Sequence, residues 1–103
     1  MNRPLEGAAA AEAPAIRWRL LVVLTAGKPR PVSDSLLLRV LSDLEVSASL
    51  PSLRRQLDYL ESAGLIEIER AQAWLCRLTD AGTNVVEYRS PVVPEAAIAR
   101  PEL

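Results

Sequence analysis

The sequence predicts an α+β protein that is mostly helical, and three stretches carry this prediction. A leucine repeat over residues 50–60 has spacings of three, four and three, which puts the leucines on one face of a helix. Residues 65–70 and 74–79 alternate apolar and polar side chains as half-buried strands do, and a short loop joins them. Thr79 can cap a further short helix. With two earlier helical segments, the expected order is three helices, a two-stranded hairpin and a short C-terminal helix.

Length and charge limit the classes of protein that this chain can belong to. At 103 residues it has room for one domain. Twelve basic and thirteen acidic residues give a net charge of −1, so there is no overall basic signal for nucleic acid. The charge is uneven, with a net +2 in residues 1–44 and −3 in residues 45–103. Binding to DNA through the second half therefore requires its cations to cluster on one face.

Catalysis and metal binding have little support in the composition. The chain has no histidine, which removes the commonest general base and metal ligand. Cys76 is the only cysteine, and without a histidine to activate it we expect a small buried apolar residue rather than a nucleophile. We predict neither an enzyme, nor a cofactor, nor a metal site. No apolar run is long enough to span a membrane, and a cytoplasmic location is expected.

The first helix is expected over residues 15–26, ending at Gly27. Residues 1–14 mix alanine with proline and glycine, which is typical of a flexible arm, and a frayed helical extension is the alternative. The core stripe of the first helix consists of Ile16, Leu20, Val23 and Leu24. Three further apolar residues, Trp18, Leu21 and Val22, point elsewhere. We expect them to form the interface of a homodimer; the alternative is that the C-terminal segment covers them.

The second and third helices are marked by caps. Two prolines exclude regular structure from the basic loop 28–31, and Ser33 or Asp34 can cap a helix that runs to Leu44. Its expected core stripe is Leu37, Val40, Leu41 and Leu44. Ser49 is a good N-cap for the third helix, and Gly64 ends it. The hairpin loop is residues 71–73, which pairs Ile66 with Leu78, Glu67 with Arg77 and Ile68 with Cys76.

The segment from Gly64-Leu65-Ile66 through the hairpin to Leu78-Thr79-Asp80-Ala81-Gly82 resembles the second half of a winged helix-turn-helix domain. It is similar to repressors of the multiple-antibiotic-resistance and phenolic-acid types, and more loosely to small winged-helix proteins of Mu-like phages and prophages. The resemblance covers residues 15–89. It implies a winged-helix domain over 15–89, and the composition adds a flexible arm over 1–14 and a proline-rich tail over 90–103.

The resemblance also implies a function and a set of contacts. In this fold the third helix enters the major groove of double-stranded DNA, so the chain is expected to be a transcriptional regulator of phage or prophage origin. Arginine pairs with guanine and glutamine with adenine in that groove. The expected DNA-contacting residues are Ser49, Ser52, Arg54, Arg55, Gln56, Tyr59, Lys28, Arg30 and Arg70.

Two alternatives stand beside this expectation. The charged residues of the third helix can form an ordinary solvated face, because Asp58 and Glu61 offset Arg54 and Arg55. The chain can then be a protein-interaction module that has kept the fold and lost DNA binding, working through an apolar helical surface. Trp18 and Trp74 can frame a small-molecule pocket, although tryptophans more often anchor a core or an interface.

Overall fold

The computed structural model describes the backbone of residues 3–103 and the side chains of residues 12–103. The protein is α+β and mostly helical. Its elements in chain order are α1 (Arg3–Gly27), β1 (Val32–Ser33), α2 (Asp34–Asp43), α3 (Leu50–Ser62), β2 (Ile66–Arg70), β3 (Trp74–Leu78) and α4 (Asp80–Val86), followed by a 3-10 turn at Glu95–Ala97. The strands form one antiparallel sheet in the order β1-β3-β2.

Helix α1 begins at Arg3, twelve positions before the expected start at Ala15. Residues 3–14 are helical, which corresponds to the helical extension and not to the flexible arm. A run of alanines explains this, because alanine has the highest helix propensity of all residues. Pro14 lies inside the helix, where it lacks the N–H that would bond one turn back.

Strand β1 is a strand that the sequence did not predict. The loop before α2 ends in two extended residues that pair with the middle of β3, Val32 with Cys76 and Ser33 with Leu75. Two residues are too few to produce an alternating pattern, so nothing in the composition indicates a strand here. The consequence is that β3 becomes the central strand of the sheet, with Cys76 paired on both sides and fully buried.

The hairpin has the predicted register, with Ile66 opposite Leu78, Glu67 opposite Arg77 and Ile68 opposite Cys76. Gly64 ends α3 with a φ of 79°, in the left-handed region that favours glycine. After β3, the Thr79 hydroxyl accepts a hydrogen bond from the N–H of Gly82 at 3.1 Å and caps α4.

Gly82 is required by packing. A Cβ at this position would lie 2.1 Å from the carbonyl oxygen of Leu65, closer than any real contact. The backbone of α4 therefore lies directly against the residue that leads into the hairpin. This contact gives a physical reason for the glycine in the Leu-Thr-x-x-Gly segment.

The core lies between α1, α2, α3 and one face of the sheet. The fully buried leucines are Leu20, Leu21, Leu24, Leu37, Leu41, Leu53, Leu57 and Leu60. The expected stripe of α2 is correct at Leu37 and Leu41 but wrong at Leu44, which is 44% exposed. Helix α2 ends at Asp43, and Leu44 is its C-terminal cap, at the open end of the helix.

The C-terminal segment, residues 90–103, packs back onto α1 and α4. Val92 and Ile98 are buried, and the N–H of Ala99 donates to the carbonyl of Pro14 at 3.0 Å. Arg100 donates to the carbonyls of Val85 and Ser90, which closes the C-terminal end of α4. The proline-rich tail thus packs against the helices and covers part of α1, as in the alternative to a partner subunit.

The predicted dimer interface has to be corrected at one residue. Leu21 is fully buried within its own chain and cannot meet a partner. Trp18 is half-buried, with its ring edge-on to Tyr88 at a centroid separation of 6.2 Å, while Val22 is 41% exposed. The C-terminal segment and α4 together cover much of the second face of α1. This is the arrangement that the sequence analysis gave as the alternative to a partner subunit.

Candidate nucleic-acid interface

The N-terminal end of α3 is fixed by two serines. The Ser49 hydroxyl accepts from the N–H of Ser52 at 3.2 Å, and the Ser52 hydroxyl accepts from the N–H of Ser49 at 3.1 Å. This reciprocal capping box satisfies two N–H groups that a helix end otherwise leaves free. Both predicted DNA-contacting serines are therefore first of all capping residues, and they hold the exposed first turn of α3 in place.

Arg54 faces inward, toward α2. Its Nη2 and Nε lie 2.7 Å and 2.8 Å from the same oxygen, Oδ2 of Asp34. The guanidinium also lies over the ring of Trp74, with Cζ 4.6 Å from the centroid. Asp34 is buried, so this ion pair is needed to compensate its charge. Arg54 was predicted to contact a phosphate, and the structure places its side chain in contacts within the fold, with Asp34 and Trp74.

Arg70 is likewise neutralised by its neighbours. It pairs with Asp58 and with Glu61 from α3, and its guanidinium also lies over the Trp74 ring, with Cζ 4.6 Å from the centroid. The hydrogen bond from Arg70 is the main cause that lowers the pKa of Glu61, and the two carboxylates raise the pKa of Arg70. Arg70 therefore joins the hairpin to α3 and carries no free charge toward a phosphate.

Arg17 of α1 connects two residues of the predicted recognition face. Its Nε donates to Oε1 of Gln56 at 2.8 Å, and its guanidinium lies over the ring of Tyr59 at 3.7 Å from the centroid. Its Nη1 donates to the carbonyl of Ala97 at 3.0 Å. One side chain thus ties α1, α3 and the C-terminal segment together. Gln56 and Tyr59 are half-buried as a result.

Arg55 is the predicted base reader that points to solvent. It lines an open groove between α1 and α3, together with Glu12, Arg17, Ser52 and Gln56. Among the side chains that the structure describes, none forms an ion pair with Arg55. The structure therefore brings Ser52, Arg55 and Gln56 together on one accessible surface.

The two cations of the loop before α2 lie away from the groove that Arg55 lines. Lys28 and Arg30 are exposed, and Lys28 Nζ donates to the Thr83 hydroxyl of α4. The side chain of Lys28 is thereby held against α4 and not against α3. The structure does not bring these two cations into the groove beside Arg55.

Arg39 is a surface cation that sequence reasoning did not select. It is exposed on α2 and lines a shallow groove with Ser35, Ser42 and residues 46–48. Ser47 and Ala48 also line the groove beside Arg55, so the two grooves meet at the turn between α2 and α3. The sequence does indicate that Arg39 is exposed, because Arg39 lies on the polar face of an amphipathic helix.

A separate apolar groove lies on the other side of α1. Its lining residues are Ala15, Trp18, Arg19, Val22, Val23, Leu44, Ala99 and Pro101. The exposed Val22 and Leu44 are both within it. Trp74 does not line this groove, and its ring contacts the guanidinium groups of Arg54 and Arg70.

Within residues 3–103, no helix combines the length and apolar character needed to cross a membrane. In the part of the chain whose side chains are described, histidine, cysteine and carboxylate groups do not cluster in a way that could hold a metal ion. Comparison with models of known families, with curated proteins and with solved structures found no match in any of the three.

Proposed function

We propose that this protein is a winged-helix DNA-binding protein that regulates transcription through the N-terminal half of α3. The observation that carries the proposal is the exposed surface of residues 49–56, where Arg55 reaches solvent beside Ser52 and Gln56. This stretch contains no acidic residue. A recognition helix contacts base edges with this part of its length.

The order of the elements supports the proposal. Helices α2 and α3 follow each other across a short turn, as the two helices of a helix-turn-helix do, and the β2–β3 hairpin would be the wing. The first turn of α3 also carries the positive end of the helix dipole, which favours a phosphate.

The charge distribution indicates which parts would contact DNA. The acids of α3, Asp58 and Glu61, lie in its C-terminal half and are paired with Arg70. The hairpin loop, residues 71–73, has no cation, and Glu67 and Glu69 are exposed on β2. A DNA duplex would therefore meet the first turns of α3 and not the hairpin.

In this mechanism Arg55 reads a guanine through its O6 and N7 atoms, which accept two hydrogen bonds from a guanidinium. Arg39 would hold a phosphate on one side of α3, and Lys28 and Arg30 would add phosphate contacts further along the duplex. Each phosphate contact releases condensed counterions. Because this surface has few cations, we expect weak binding whose affinity falls only moderately as the salt concentration rises.

The test is a fluorescence-anisotropy titration of the protein against mixed-sequence and randomised duplexes at two salt concentrations. Binding that weakens with salt and falls in Arg55→Ala by about 1–3 kcal/mol supports the proposal. Arg77→Ala is the matched control, because Arg77 is an exposed cation on the hairpin. Equal affinity losses in both variants would show only a general charge effect. No binding to any duplex would reject DNA as the ligand.

The apolar groove on α1 favours a second candidate function, a protein-interaction module on the same scaffold. Trp18, Val22 and Leu44 form an accessible apolar surface there, and such surfaces often mark protein contacts. The partner that we propose for this groove is a second copy of the chain. A two-fold dimer would bury the same residues on both copies, and a dimer is also compatible with DNA binding to paired half-sites.

A further inference from the structure

Arg70, the last residue of β2, is held by two carboxylates of α3. Its Nη2 donates to Oδ1 of Asp58 and, at 2.8 Å, to Oε1 of Glu61, while its Nη1 donates to Oε2 of Glu61 at 3.2 Å. Glu61 is also fixed from the hairpin, because its Oε2 accepts from the N–H of Ile68 at 3.3 Å. Arg70, Asp58 and Glu61 form the Arg70 cluster, in which two negative charges exceed one positive charge.

The Arg70 cluster lies close to the surface that we propose for DNA. Asp58 follows Arg55 by three residues in α3, and residues three apart are neighbours on the surface of a helix. The two residues differ in position by only about 4.5 Å along the helix axis. A duplex whose base is read by Arg55 would therefore bring its phosphates near the guanidinium of Arg70.

The Arg70 cluster is open to solvent, so its ion pairs can break without unfolding of the domain. The three side chains are 35–52% exposed, and ion pairs with such exposure contribute little to stability. The guanidinium is nonetheless occupied, because both of its terminal nitrogens donate to carboxylates. A phosphate that approached Arg70 would have to replace these acceptors and would meet the excess negative charge of the cluster.

We propose that Arg70 is a latent phosphate-binding residue, which Asp58 and Glu61 withhold from DNA by an autoinhibitory contact. This inference rests on the proposed DNA-binding function and concerns the regulation of the same surface. Asp58 and Glu61 act through Arg70 and are positioning residues. They set how strongly the protein holds any duplex, while the choice of base stays with Arg55.

A phosphate contact has a recognisable effect on binding. It carries no sequence information, so an arginine released toward the DNA backbone would raise the affinity for all duplexes alike. It also displaces condensed counterions, and each added contact steepens the dependence of log affinity on log salt concentration by about 0.9. The two carboxylates therefore lower both the affinity and its salt dependence in the parent protein.

The experiment is a fluorescence-anisotropy titration of one mixed-sequence duplex at about 50 mM and about 200 mM salt. The proteins are the parent, the amide variant Asp58→Asn/Glu61→Gln, and each of these two with Arg70→Met. We expect the amide variant to bind more tightly than the parent by about tenfold at the lower salt and about threefold at the higher salt, as one added phosphate contact requires. Arg70→Met should remove this gain from the amide variant and change the affinity of the parent much less.

A matched control separates the release of Arg70 from a general loss of repulsion. Glu67→Gln/Glu69→Gln removes the same number of negative charges from exposed positions of β2, and neither carboxylate pairs with Arg70 among the described side chains. Any gain in affinity that this control shows should not depend on Arg70. Arg70→Met keeps an unbranched side chain against the Trp74 ring, and thermal unfolding shows whether each variant is folded under the binding conditions.

The outcomes separate this inference from the proposed function. A parent protein that binds duplexes, with an amide variant that binds no more tightly, overturns the role of the two carboxylates and leaves DNA binding in place. A gain that persists after Arg70→Met, or that the control variant matches, overturns it as well, because the effect would then be general repulsion. Absence of binding by the parent and by every variant rejects the proposed function and this inference together.

Discussion

Arg54 and Asp34 join helices α3 and α2 through a single carboxylate oxygen, which lies within 2.8 Å of both Nη2 and Nε of the arginine. The side chain of Asp34 is 3% exposed and that of Arg54 is 30% exposed. The other oxygen of Asp34 accepts from the N–H of Ser35 at 2.8 Å. The carboxylate is thus fully satisfied at the first residue of α2.

Removal of Arg54 should therefore destabilise the fold more than removal of the charge on Asp34. Arg54→Met leaves a buried carboxylate without its cation, and we expect a loss of about 3 kcal/mol in the free energy of unfolding. Asp34→Asn leaves an arginine that can rehydrate, so its loss should be smaller. Urea unfolding measures both, and the double variant should recover part of the loss of Arg54→Met. Equal losses in the two single variants would contradict this account.

The contact of Gly82 with the Leu65 carbonyl leads to a second prediction. Gly82→Ala should lower the free energy of unfolding by about 2 kcal/mol or more, because backbone would have to move to admit the methyl group. Gly64→Ala is the comparison, where nothing lies within 4 Å and the cost comes only from the positive φ. Thermal or urea unfolding should rank Gly82→Ala as the more damaging. The reverse order would show that α4 can shift away from the hairpin.

The lowered pKa of Glu61 predicts a dependence of stability on acid. A carboxyl group whose pKa is lower in the folded state stabilises the fold above its ordinary value of 4.5, and this contribution is lost as the pH falls below that value. Glu61 is partly exposed, so we expect an effect of only about 0.5 kcal/mol. Urea unfolding of Glu61→Gln at pH values on both sides of this range should show a smaller acid loss than the parent. Glu69→Gln, an exposed change on β2, should follow the parent.

The burial of Cys76 predicts an inert thiol. Loss of hydration on burial raises the pKa of Cys76 from 9.0 to about 11, so the thiolate that reacts is scarce at neutral pH. A disulfide reagent should modify the folded protein slowly and the denatured protein at once. Because the unfolded thiol ionises first, stability should also fall as the pH rises above 9.0 toward the folded pKa. Rapid modification of the folded chain would mean that β3 opens readily.

The proposed dimer predicts a change in molecular mass. Val22→Glu places a charge in the apolar groove and should convert the dimer to a monomer in light scattering, since an unpaired charge in an interface is strongly unfavourable. Val93→Glu is the control, because Val93 is 78% exposed and does not line the groove. A parent protein that is monomeric over the whole accessible concentration range would reject self-association through this surface.

The parts of the fold that follow from local periodicity could be predicted from the sequence. The leucine face of α3, the cap at Ser49 and the register of the hairpin depend on neighbours a few residues apart, and they are as expected. Strand β1 could not be found, because two residues carry no period. The packing of the C-terminal segment could not be found either, since Val92 and Ile98 are isolated apolar residues among prolines.

The candidate site likewise has a part that local spacing predicts and a part that it does not predict. The helical spacing of α3 identifies Arg55 as a solvent-facing residue, and it is exposed. The same spacing does not reveal that Arg54 is paired with Asp34, twenty residues earlier, or that Arg17 engages Gln56 from another helix. Such partners depend on how the elements pack, and a polar side chain on a helix flank can face either solvent or a carboxylate.

The short strand β1 has a consequence for the behaviour of the protein at high concentration. With β3 paired on both sides, the long strand left with an unpaired edge in the sheet is β2, where another chain could add by backbone hydrogen bonds. Glu67 and Glu69 are exposed along that strand, so two such edges that approach each other repel. The acidic residues that make the hairpin unsuitable for a phosphate backbone would thereby protect the molecule from aggregation through its own sheet.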